Sequence, residues 1–155
     1  MEKTYPSVEL VYPIAVASYD AALRRLDTID GRLQTVLAFI VTTFAALASI
    51  ANAHGVSFHS RWFYVAAFLL AGSVAFGTHS RLAGKVKLLD PNLLYDHWLR
   101  QETWDFQKNF IAYAGDAFEA NLSLVDRKWR STVTLILIFC AQTVALLVWV
   151  AARRF

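Results

Sequence analysis

At 155 residues the chain has room for one domain, and with 57 % apolar and only 17 % charged residues it falls well short of the ~25 % charged expected of a water-soluble globular fold. The same balance excludes intrinsic disorder, and a single cysteine, Cys140, excludes an intramolecular disulfide and a cysteine-based metal centre. The net charge of +3 would suggest nucleic acid only if the fifteen Lys and Arg stood apart from the apolar runs, and they flank those runs instead.

The first 32 residues read as a cytoplasmic helix. Pro13 suits an early helical position, and Ile14, Ala17, Ala21, Leu26, Ile29 and Leu33 follow at steps that mostly share one face. Residues 33–53 carry no formal charge over 21 positions, roughly 31 Å of helix and about one hydrocarbon thickness, so they form the first span. No proline separates Ile14 from Asn52, which predicts one continuous helix through both parts, with Gly31 a place for a bend. The run is too long and starts too far in for a signal peptide. Residues 62–78 form a second, shorter span, and residues 131–152 a third that ends on Arg153 and Arg154.

Residues 79–130 read as a cytoplasmic helical hairpin. The helix descending from the second span should stop at Asp90-Pro91-Asn92, the strong turn signal of this segment. Beyond it Trp104, Ile111, Phe118 and Val125 recur every seven residues, with Ala114, Gly115, Leu122 and Trp129 beside them, as in an amphipathic helix running into the third span. Lys and Arg number four before the first span, one between spans one and two, eight between spans two and three, and two at the end. The positive-inside rule then places the N-terminus and the long middle segment in the cytoplasm and the C-terminus outside. The expected fold class is all-α: an integral membrane helical bundle with three transmembrane helices and a helical cytoplasmic extension, one membrane domain over residues 1–155.

The sequence holds no Gly-rich phosphate loop, no nucleophile paired with a base, and no histidine pair at helical ligand spacing among His54, His59, His79 and His97. No enzyme, metal, cofactor or direct nucleic-acid contact is expected. Asp126-Arg127-Lys128-Trp129-Arg130, next to a span, reads as a lipid-headgroup anchor. Within the first span Thr35, Thr42 and Ser49 stand seven apart, with Ala38, Ala45 and Asn52 three further on. This is a small and weakly polar stripe opposite the bulky Leu37, Phe39, Ile40, Phe44 and Leu47. Small faces let helices approach and bulky ones suit lipid. Thr35, Thr42, Ser49 and Asn52, with Ala71 and Ala75 of the second span, are therefore candidates for a helix interface or pore lining, either within one subunit or in a homo-oligomer. Ser73 and Gly77 repeat the four-residue step of the second span, and Gln142 and Thr143 give the third a polar point. Trp98, Arg100, Trp104 and Lys108, near the turn farthest from the bilayer, form a candidate partner patch.

Two short stretches carry a family resemblance. Leu26-Asp27-Thr28-Ile29-Asp30-Gly31-Arg32 enters the first span as an Asp-x-Lys-Ala motif would, with Asp30 and Arg32 at the Asp and Lys positions and Leu33 departing from the Ala. Asn121, followed by Lys128-Trp129 before the last span, is similar to an Asn with a downstream Lys-aromatic pair. In these motifs and in its layout the chain resembles the Pycsar effector transmembrane family and the related SLATT group, small bacterial membrane effectors of phage defence. The resemblance implies a protein of the bacterial inner membrane that waits inactive. A sensor protein or nucleotide signal acting on the cytoplasmic helices would then trigger it to oligomerise or rearrange and impair the membrane, as in abortive infection. A small ion-channel or transporter subunit, or a membrane adaptor that recruits a soluble partner, are the competing readings. The first is disfavoured because no span carries a charged side chain.

Overall fold

Three long helices carry the fold: α1 (Val8–Ala53), α2 (Arg61–Leu82) and α3 (Thr103–Ala151), with a single π-helical turn at Leu94–Trp98. They are seen in a computed structural model that describes residues 7–55, 58–90, 92 and 94–151, and among these there is no strand. Each of the three is long and apolar enough to cross a membrane. Pro91 of the expected turn, and Arg153 and Arg154, lie outside the described residues. The chain divides into two compact units. One comprises the described residues up to Thr28 with Gly84–Asp126; the other comprises Ile29–Ala83 with the described residues from Arg127 onward.

Helix α1 starts earlier than Pro13: the carbonyl of Ser7 accepts the N–H groups of Leu10 and Val11, and Glu9 in the first turn complements the positive end of the helix. It runs without a break past Gly31. Its inward face in the first unit is Tyr12, Ala15, Tyr19, Ala22 and Leu26, at alternating steps of three and four; Ile14, Ala17 and Ala21, expected inside, are exposed. Helix α3 has the matching pattern. Phe110, Ala114, Ala117, Asn121 and Leu124 are buried at steps of four and three, the spacing of a coiled-coil seam. The expected stripe through Trp104, Ile111 and Phe118 is only half-buried, and Gly115 and Trp129 are exposed. The seam lies to one side of that stripe, and a polar residue, Asn121, occupies one of its positions.

Within this first unit α1 and α3 run parallel, since Tyr12 meets Phe106 and Phe110 while Tyr19 meets Tyr113 farther along. Trp98 closes the end of the cluster edge-on to Phe106 at 5.7 Å. An extended strap follows α2, which ends at Leu82 rather than at Asp90. The chain leaves the helix at Ala83, which is already extended, and cannot return to it at Gly84, whose φ of +94° lies in a region that suits glycine and whose missing Cβ leaves room for Leu124. A Cβ there would run into the Leu124 side chain.

In the second unit α1 and α3 again run parallel, Ile40 meeting Gln142 and Ala51 packing with Ala145 and Trp149. Helix α2 descends between them in the opposite sense, with Phe63 against Phe44 and Gly77 against Leu37. Ser60 caps its start by accepting the Trp62 N–H. The buried face of α2 is Ala66, Ser73, Gly77 and Ser80, all small, and it takes the bulky side chains of α1 as knobs. Leu37, Ile40, Phe44 and Leu47 therefore point into the bundle rather than to lipid; of the expected outward residues only Phe39 is exposed, at 60 %.

Candidate functional site

Polar residues occupy the α3 seam at a strict heptad: Asn121, Lys128 and Gln142 are buried, with Leu135 and Trp149 filling the remaining positions of the same row. In an apolar seam each such residue needs partners, because an unsatisfied buried donor or acceptor costs about 1–3 kcal/mol. The partners define what the seam does.

In the first unit Asn121 serves the strap. Its Oδ1 accepts the Lys87 N–H at 2.9 Å and its Nδ2 donates to the Lys87 carbonyl at 3.1 Å, so one side-chain amide holds one residue as a neighbouring strand would. The Tyr19 hydroxyl adds two more contacts, accepting the Leu89 N–H at 3.0 Å and donating to the Lys87 carbonyl at 3.3 Å. The Tyr113 hydroxyl donates to the Leu88 carbonyl. Burial, and then the nearby Tyr19 and Asp90, push the Tyr113 hydroxyl above its ordinary value of 10.0, which keeps it a donor.

In the second unit Lys128 forms a three-helix clasp. Its Nζ donates to both carboxylate oxygens of Asp30, at 2.6 and 2.8 Å, and at 3.4 Å to the Arg81 carbonyl near the end of α2. The lysine side chain is 6 % exposed and the aspartate 36 %, so the cation is the more deeply held partner. Farther along, Gln142 donates from Nε2 to the Ile40 carbonyl at 3.4 Å, while its Oε1 finds no partner.

The entry-motif residues thus divide: Asp30 and Lys128 are joined, whereas Arg32 and Trp129 are exposed. Thr35, Thr42, Ser49 and Asn52 are all exposed, as are Ala71 and Ala75. The small stripe does not hold the three helices of this subunit together, because the knobs of the opposite face do. Thr35 and Thr42 donate to the Gly31 and Ala38 carbonyls of their own helix, which satisfies both hydroxyls without a neighbour. Gly31, Thr35, Ala38 and Thr42, with Gln34 and Phe39, line one shallow groove on the outer side of α1. Of the partner patch, Trp98 belongs to the aromatic core, Arg100 and Lys108 are exposed, and Lys108 sits 5.5 Å above the ring of half-buried Trp104.

Sequence reasoning missed Tyr19, Tyr113 and the pairing of Asn121 with the strap. The signal was there in the seven-residue spacing of residues 121, 128, 135, 142 and 149. Among the described residues no three His, Cys, Asp or Glu side chains come together as a metal site. Comparison with protein-family models, with curated proteins and with solved structures finds no match.

Proposed function

We propose that this chain is a membrane effector of bacterial antiphage defence. At rest it sits in the inner membrane with its N-terminus and the long middle segment in the cytoplasm. On an infection-linked trigger, a sensor protein or a nucleotide signal, copies oligomerise or rearrange through the outward stripe of α1 and membrane integrity fails. The observation that carries this reading is the continuity of α1 and α3: each helix passes from a polar, aromatic-packed section into a membrane-length apolar section without a break in its hydrogen bonding. A trigger acts only by binding two states with different affinity, and unbroken helices are a direct route by which a tilt in one section reaches the other. The entry motifs that carry the family resemblance support the same reading, since their Asp30 and Lys128 are direct partners.

The test is a potential-sensitive dye in cells that express the chain, with and without phage. An effector depolarises the membrane only after infection, and Thr42→Leu with Ser49→Leu abolishes the response at an unchanged level of inserted protein. Depolarisation without infection would instead identify a constitutive channel. Protection without any depolarisation would identify an adaptor.

A further inference from the structure

We propose that a collar of four arginines, Arg32, Arg81, Arg127 and Arg130, together with Trp129, is a binding surface for anionic phospholipids. The clasp sets the geometry. Because Lys128 reaches both the Asp30 carboxylate and the Arg81 carbonyl, residues 30, 81 and 128 stand at one level of the three-helix bundle. Arg32 and Arg130 are two residues beyond that level and Arg127 one residue before it, so the four backbones fall within a slab about 5 Å thick at 1.5 Å of rise per residue. Three separate stretches of sequence are thereby brought to one ring.

All four arginines are exposed, and among the described residues none of them forms an ion pair; Asp27 and Asp126, the nearest acids in sequence besides Asp30, form none either. Of the acids within two residues of this level, Asp30 is taken by the buried Lys128 and Asp126 pairs with none of the four. The collar is thus left with four uncompensated guanidinium groups, whose planar forks suit phosphate oxygens. On the span side it borders an exposed apolar surface on α3: Trp129 at 46 %, then Val133, Ile136 and Leu137. A cationic band against an apolar one matches a ligand that is phosphate at one end and hydrocarbon at the other. A soluble nucleotide or a nucleic acid would use the first band and waste the second. The inference needs only that the three apolar helices cross a bilayer, so it stands or falls apart from the effector reading.

Native mass spectrometry of the full chain in neutral detergent micelles, offered equal amounts of phosphatidylglycerol and phosphatidylcholine, tests it. The expected result is a phosphatidylglycerol excess that falls about fivefold for each Arg→Gln substitution at positions 32, 81, 127 and 130, survives Arg130→Lys in large part, and shrinks as sodium chloride rises. Excess inorganic phosphate should fail to displace the lipid; displacement would mean a site for the free anion and would overturn the proposal. Equal retention of the two lipids by the unmodified chain would overturn it as well, without recourse to any variant. So would an excess that ignores the Gln substitutions, each confirmed as folded by its melting temperature.

Discussion

The two units solve the same packing problem with different chemistry. Both pair α1 and α3 in parallel with polar residues set into the seam. In the first, the polar side chains that meet the strap are matched: Asn121 and Tyr19 each bridge a donor and an acceptor of the strap backbone. In the second, the seam is matched at the clasp and left half-matched at Gln142. The difference follows from what lies alongside. An extended strap offers free N–H and C=O groups to side chains, whereas a helix such as α2 has already used its own. Polar residues against a strap can therefore be neutral and short, while one wedged among three helices has to bring its own partner, as Lys128 does with Asp30.

The largest effect that would break this contrast lies at the clasp. Removing the acid with Asp30→Ala leaves a buried ammonium without its counter-charge and should destabilise the second unit by about 3–5 kcal/mol. Lys128→Met leaves the more exposed carboxylate, which water can reach, and should cost clearly less. The double variant, Asp30→Leu with Lys128→Met, should recover most of the loss, because two apolar side chains need no partner. Melting of the purified protein in one detergent checks the order of the three; equal losses for the two single variants would mean that the pair is solvated and not part of the seam.

Next in size is Asn121→Leu, which removes both bonds to Lys87 at once and should cost about 3 kcal/mol. Hydrogen exchange distinguishes this from a general loss of stability: the Lys87 amide should lose its protection while amides of α2 in the second unit keep theirs. Smaller again is the pH response of Tyr113. Its proton is held more tightly in the folded state than in the unfolded one, so its contribution is complete below the ordinary tyrosine value of 10.0 and disappears as pH rises through the raised folded value. Unit one should therefore loosen in the alkaline range above 10.0, and Tyr113→Phe, at about 1 kcal/mol, should remove that pH dependence along with the bond to Leu88.

Uncharged length governs what is legible in the sequence. The three helices long and apolar enough to cross a membrane follow from runs with no ionised side chain, and Leu26, Ile29 and Leu33 are buried because apolar periodicity is strong there. The α3 seam was hidden for the opposite reason: Asn121, Lys128 and Gln142 are the residue types that periodicity assigns to the outside, and their partners lie 34, 98 and 102 positions away. The same long-range dependence explains the first span. Whether its small stripe or its bulky one faces inward is decided by α2, whose small inner face of Ala66, Ser73, Gly77 and Ser80 needs knobs. The end of α2 was legible in Gly84, but a glycine two residues past a helix and a proline nine residues past it are competing stop signals, and only the contact with Leu124 ranks them.

Gln142 gives the smallest effect and the sharpest test of the contrast. Its single bond to the Ile40 carbonyl is long at 3.4 Å, and its Oε1 is buried without a donor. A residue selected for stability at this position would be apolar, since exchanging a half-satisfied amide for a side chain of similar volume removes a desolvated acceptor and a weak bond together. Gln142→Leu should thus leave the melting temperature unchanged or raise it, a change of within about 1 kcal/mol, against the loss of about 3 kcal/mol at Asn121 for an amide on the same face of the same helix. The seam position is equivalent and the side chains differ by one methylene, so the contrast isolates the neighbours: strap backbone with free groups in one unit, helix backbone whose groups are already paired in the other. A loss at Gln142 as large as that at Asn121 would show that its Oε1 is matched after all, by a buried water that bridges α1 and α3.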